Sequence, residues 1–227
     1  MPESVKSAIL ERIKADDPDG ARLLLDGVDA GLSGRDVLHH VAIARSREGE
    51  YEESLAIFDR VLELLPNEPE TLGRKGYVYT KLARFEEAKA CLEIAAAAKP
   101  KDPIVQFNRW FVEACMREIP QANAMTLATV DAQARPSARI VLMKEFDSRG
   151  FVFHTSYRGR KARDIEVNPN AAIVFFWEKL HRQVRIEGKV EKTTREESAK
   201  YFATRPREAQ IGAWASRQSS VISGRDE

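Results

Sequence analysis

Residues 124–177, AMTLATVDAQARPSARIVLMKEFDSRGFVFHTSYRGRKARDIEVNPNAAIVFFW, decide the fold of the second half of the chain. Short runs rich in β-branched and aromatic residues follow one another here: MTLATV at 125–130, ARIVLM at 138–143, FVFHTS at 151–156 and AAIVFFW at 171–177. Turn formers such as DSRG and NPN separate them, as expected of strands joined by tight connections. A fifth run, RQVRIEGKVEKT, follows at 182–193. Helical patterns fit KARDIEVN at 161–168, REESAKYFATR at 195–205 and REAQIGAWASR at 207–217. Strands with a few interspersed helices predict a small barrel. No glycine-rich phosphate fingerprint of the dinucleotide or P-loop kind supports a βαβ nucleotide fold.

Upstream the chain repeats itself. Placing Pro66 over Pro100 puts Leu38 on Leu72, Ala42 on Gly76, Tyr51 on Phe85, Ser54 on Ala88 and Phe58 on Leu92. Each unit reads as two amphipathic helices, 36–48 with 52–64 and 70–82 with 86–98. Small residues at Ala42/Gly76 and Ser54/Ala88 allow close helix approach, and the prolines stop each second helix. Phe58, Leu62, Leu92 and Ala95 are expected in the core. This helix–turn–helix grammar resembles the tetratricopeptide repeat. Residues 1–34 read as a helical cap or degenerate repeat, 35–101 as two repeats, and a helix around Gln106–Arg117 as a cover for the other end. Such repeats offer a groove to a protein partner or only stabilise the chain.

Charge divides the same way. Residues 1–100 carry 14 Lys+Arg against 19 Asp+Glu, and the remainder 22 against 16. The basic half suits anionic ligands. The 227 residues contain no apolar run long enough for a membrane span, and the first residues are not signal-like. Cys91 and Cys115 form no metal or redox spacing, which points to a cytoplasmic location. His39, His40, His154 and His181 are scattered, so no metal site is expected, and no nucleophile–base constellation marks a catalytic residue. The loop RGRKAR, with Arg158, Arg160, Lys161 and Arg163, sits where a helix begins, a good place for a phosphate. It lacks the aromatics of a nucleic-acid surface.

Taken in order, the stretch quoted above, then RQVRIEGKVEK and YFATRPREAQIGAWASRQSS, resembles the pyridoxamine 5′-phosphate oxidase family over residues 102–227. The resemblance implies a flavoprotein with a split β-barrel, a homodimer with FMN at the subunit interface. The fold class is then a tetratricopeptide-repeat solenoid followed by a partial FMN-binding split barrel. Arg139, Arg160 and Lys161 match positions that hold the FMN phosphate. Ile140, Val141, Leu142, Met143, Lys144, His154, Thr155, Gln183, Gln218 and Ser219 match other FMN-contacting positions. Lys144, Tyr201 and Arg205 match positions that bind the substrate phosphate, where two cations and a phenol make a sensible clamp.

Three residues depart from the family pattern: Ala209 and Gly159 each replace a frequent serine, and His154 a frequent tyrosine. The lost Ala209 hydrogen bond is worth about 1 kcal/mol. The family continues beyond VISGRDE with further strands, so the resemblance implies a barrel incomplete at its C-terminus. The expected activity is oxidation of pyridoxamine or pyridoxine 5′-phosphate to pyridoxal 5′-phosphate with O2 as acceptor. The alternatives are a repeat-based adapter whose barrel only binds flavin or pyridoxal phosphate, and another split-barrel flavoprotein such as a flavin reductase. YFATRPREAQIGAW and RQSS argue against the reductase.

Overall fold

The computed structural model describes residues 32–215, with side chains from residue 38 onward. The cap expected over 1–34 lies almost wholly outside these residues, and Gln218 and Ser219 lie outside them too. Two compact units divide between Met116 and Arg117.

The first unit is helical: α1 (Leu32–Glu48), α2 (Tyr51–Leu64), α3 (Pro69–Lys81), α4 (Phe85–Ala98) and α5 (Pro103–Met116). The small residues of the repeat act as the sequence predicts. Ser54 Oγ donates to the Ala42 carbonyl at 2.7 Å, tying α2 to α1. In the second repeat the approach is tighter. A Cβ on Gly76 would lie 2.8 Å from Leu92 Cγ and 3.2 Å from the Ala88 carbonyl oxygen. The α1–α2 turn uses Gly49 at φ +87, and the equivalent α3–α4 turn uses Ala83 at φ 56, so the repeat imposes one left-handed residue on both. Glu68 caps α3 by accepting from the Thr71 amide, and Pro69 follows at the first turn.

Val41, Ala42, Phe58, Val61 and Val78 form one buried cluster. Leu92 and Ala95 are fully buried, and Leu62 is partly buried against Leu72 and Ala95. Helix α5 supplies Val105 to the Leu72–Ala95 cluster and Val112 to the Ala88–Leu92 cluster. It therefore belongs with the repeats, whereas the sequence placed residue 102 at the start of the second module. The apolar faces of α3 and α4 need a cover, and α5 provides it.

The second unit is a curled antiparallel sheet in the order β3-β2-β1-β4-β5. Its strands are β1 (Ala124–Val130), β2 (Pro136–Asp147), β3 (Gly150–Phe153), β4 (Asn170–Trp177) and β5 (Arg182–Lys189). Helices α6 (Arg160–Val167), α7 (Arg195–Thr204) and α8 (Arg207–Ala215) accompany it. Strand β2 runs longer than the apolar pattern because it pairs with β1 along one half and β3 along the other. Strand β5 stops at Lys189, where its partner β4 begins. One sheet face carries Met125, Leu127, Ile173, Phe175 and Trp177, all buried. Trp177 Nε1 donates to the Ala122 carbonyl at 2.9 Å, satisfying its polar end. Among the described residues no helix is long and apolar enough to cross a membrane.

Gly76→Ala is expected to destabilise the helical unit by about 1–3 kcal/mol through overpacking, despite alanine's better helix propensity. Ala83→Gly is expected to stabilise it by about 1 kcal/mol by relieving the left-handed alanine. Urea denaturation of the full chain, followed by circular dichroism at the helical band, checks both signs.

Candidate functional site

Arg139 sits in β2 opposite Leu127, on the buried face of the sheet. Its guanidinium donates to the Leu127 carbonyl at 3.2 Å, to Thr129 Oγ1 at 2.7 Å and to Ser137 Oγ. Thr129 Oγ1 in turn donates to Asp164 Oδ2 at 2.7 Å, and Arg139 Nη2 lies 3.6 Å from the same carboxylate oxygen. Helix α6 thus meets β1 and β2 through one polar chain.

The same helix brings two more cations. Lys161 is buried, and its Nζ donates to Thr155 Oγ1 at 3.0 Å. Arg160 opens the helix and is exposed. Gly159 stands at the N-cap, and no side-chain bond closes the first turn. Burial, and then the charge of Arg139, lowers the pKa of Lys161. Burial also lowers that of Arg139, with Asp164 opposing and Arg160 adding to the effect. An anion placed here would relieve strain already present in the two cations.

A second cluster lies at the other side of the 154–155 segment. The His154 and Tyr201 rings stack with centroids 3.7 Å apart and planes 5° from parallel. Lys144 Nζ lies 5.8 Å from the Tyr201 ring centroid. Lys144 reaches this position because β2 bulges there: Met143 pairs with Phe153 and Glu145 with Val152, leaving Lys144 as the extra residue. Such a bulge re-aims a side chain. Tyr201 is held on α7, which starts with a capping box between Thr194 and Glu197. Arg205 caps the C-terminal end of α7 before Pro206, and its carbonyl accepts from Gln210 Nε2 at 2.8 Å. Burial first, then the charges of Lys144 and Arg205, lowers the pKa of His154, with Glu197 opposing. His154 and Thr155 therefore sit side by side in the chain while serving different clusters.

The remaining candidates do not join these clusters through one surface. Val141 and Met143 share the parity of Arg139, and Met143 is buried. Ile140 pairs with Thr126, which pairs with Val174, on the opposite face. Gln183 pairs with Phe176 on that same face. Ile140 is 64% and Phe176 65% exposed, and Leu142 is half-buried beside them. Gln183 and Ile140 therefore face away from Arg139 and Lys161. Half-buried Ala209 lies on α8.

Sequence reasoning missed Thr129, Ser137, Asp164 and Gln210. The signal for Asp164 was an acid directly after the basic run RKAR at the start of the helix, but its partner is 35 residues away and invisible to spacing.

A sequence model of the family described as "Pyridoxamine 5'-phosphate oxidase" matches residues 111–227. One described as "Tetratricopeptide repeat" matches 46–106. A pyridoxine/pyridoxamine 5′-phosphate oxidase of Burkholderia cenocepacia is 56% identical over 142 residues, covering 63% of this chain and 65% of the relative. Its counterpart from Burkholderia thailandensis is 55% identical over 146 residues, 64% of this chain and 68% of the relative. The chain thus spans slightly less than two thirds of the length of the first of these relatives. The crystal structure of PhzG from Burkholderia lata 383, in complex with tetrahydrophenazine-1-carboxylic acid, aligns with a TM-score of 0.54 and 27% identity. That alignment covers 56% of this chain and 63% of PhzG. With the family's model matching more than half of the chain, and with those residues seen to build one antiparallel sheet, the chain belongs to the pyridoxamine 5′-phosphate oxidase family.

Proposed function

We propose that the second unit binds FMN and oxidises pyridoxamine or pyridoxine 5′-phosphate to pyridoxal 5′-phosphate, with O2 as acceptor. The observation that carries this reading is the pair of clusters, Arg139 with Lys161 and Lys144 with Tyr201, linked through the adjacent residues His154 and Thr155. A reaction between two phosphate esters needs two such anchors held in fixed relation.

The donors fit a flavin phosphate. Arg139 presents a planar fork already fixed by three acceptors, Lys161 a compact ammonium, and α6 the positive end of a helix dipole. In this reading Arg139, Arg160 and Lys161 hold the cofactor phosphate, with Thr155 orienting Lys161. Lys144, Tyr201 and Arg205 hold the substrate phosphate, and the His154 ring supports Tyr201 from one side. Bound FMN would supply hydride acceptance and reoxidation by O2. The chain's own part is to fix both esters, which requires no acid–base pair.

Gln183 and Ile140 lie on the face opposite Arg139, so a single subunit does not gather every expected flavin contact. A second copy seated on the exposed Ile140–Phe176 face would let that face serve the partner's cofactor, which supports a homodimer. The expected contacts of Gln218 and Ser219 belong to the same proposal. A protein partner of the repeats is proposed on the repeat architecture alone.

Adding FMN to the purified full chain is expected to give a bound-flavin absorption spectrum, and pyridoxamine 5′-phosphate then to yield pyridoxal 5′-phosphate with hydrogen peroxide. Lys161→Met is expected to weaken FMN binding about ten- to a hundred-fold, the worth of one charge-assisted hydrogen bond. Flavin binding without turnover would leave the binding-only reading in place of the oxidase. No flavin binding at all would contradict both.

The lowered pKa of His154 sets a pH dependence. Below the unfolded value near 6.5 the unfolded chain binds the proton more readily than the folded one, so stability present above about pH 6.5 is lost as pH falls. His154→Phe, which keeps a ring for the stack, is expected to flatten this loss. His39 in the helical unit, also lowered by burial, contributes in the same direction in both proteins. Thermal midpoints of the second unit's transition between pH 5 and 8 read the difference.

A further inference from the structure

We propose that Asp164, acting through the Thr129 hydroxyl, is a positioning residue that fixes Arg139 for an anionic phosphate ester it does not itself touch. The inference rests on the FMN reading above. Its observation is the unbroken relay from the guanidinium to Thr129 Oγ1 at 2.7 Å and from that hydroxyl to Asp164 Oδ2 at 2.7 Å.

The direction of the relay follows from proton count. Thr129 Oγ1 has one proton and accepts from Arg139, so that proton is aimed at Asp164. A hydroxyl caught between a cation and a carboxylate is polarised by both, which tightens each bond. The direct Arg139–Asp164 separation of 3.6 Å is too long for a hydrogen bond, so the relay carries the orientation. Asp164 is only 5% exposed, and a carboxylate so buried is costly unless it is engaged in this way.

Placement on the helix completes the argument. Asp164 stands three residues after Lys161, on the same side of α6, and both are buried. One helix face therefore presents Lys161 toward Thr155 and Asp164 toward Thr129. The carboxylate pins α6 to β1 and, through Thr129, to Arg139 of β2. That keeps the ammonium and the guanidinium in one relative position.

A plain counterion would do the opposite. Placed near two cations, Asp164 as a mere negative charge would weaken the hold on a phosphate, and removing it would strengthen binding. The two roles therefore predict opposite signs.

The test uses the full chain and its variants Asp164→Ala, Asp164→Asn and Thr129→Val, titrated with FMN and with riboflavin by flavin fluorescence. Riboflavin lacks the phosphate, so the ratio of the two affinities isolates the cradle. A five-fold or greater loss of the FMN preference in both Asp164→Ala and Thr129→Val, with riboflavin affinity within two-fold of the parent, is expected. Asp164→Asn, which keeps an acceptor for Thr129, is expected to retain more of the preference than Asp164→Ala. A smaller loss, or tighter FMN binding, overturns the positioning role. Should Asp164→Ala fail to fold, Thr129→Val decides on the same thresholds, and Asp164→Asn is expected to lose less of the preference than Thr129→Val. A parent chain that does not prefer FMN over riboflavin overturns the flavin reading itself, an outcome visible before any variant is made.

Discussion

The second unit depends on holding a half-buried positive charge, the Arg139 guanidinium, against one face of its sheet. Arg139 lies on the same face as Leu127, which is fully buried, and its guanidinium is surrounded by a backbone carbonyl, two hydroxyls and one carboxylate. Arg139 is half-buried, and a cation partly withdrawn from water in this way is stabilised by those acceptors. The acceptors come from β1, β2 and α6, so the requirement fixes how the helix meets the sheet. Lys161 and Thr155 are carried into position by the same docking.

The second cluster is placed by a different device. A regular β2 would point Lys144 to the face opposite Met143, by strand alternation. The bulge removes Lys144 from the ladder and sends it toward Tyr201. Strand β3 ends at Phe153, which lets His154 turn to stack on Tyr201 while Thr155 turns to Lys161. A short edge strand thus sets the separation between the two clusters. The helical unit is built on other terms, by close approach at Ala42–Ser54 and Gly76–Leu92 and by the cover that α5 provides.

Much of this was legible in the residues. The 34-residue period gave the paired helices and the roles of Ala42, Ser54, Gly76 and Ala88, because small residues and prolines have local causes. Each of the five strand runs lies in or overlaps an observed strand, with ends shifted where pairing rather than composition sets the limit. The grouping of Lys144 with Tyr201, and of Arg139 with Lys161, followed from family resemblance, since no spacing rule links residues 57 or 22 positions apart. What was not legible depends on tertiary contact: the bulge at Lys144 and the hydrogen bond from Thr129 to Asp164. Parity had been available in principle. Alternation along RIVLMK already places Ile140 opposite Arg139, and Gln183 needed only the β4–β5 register to join it.

The central claim is that Arg139 and Lys161 form the seat of the cofactor phosphate. The most direct test is a crystal structure of the full chain grown with FMN. The account requires the flavin phosphate within hydrogen-bonding reach of Lys161 Nζ and the Arg139 guanidinium, with Asp164 still bonded to Thr129. A phosphate seated instead between Lys144 and Arg205, or flavin bound with its phosphate in solvent, would contradict it.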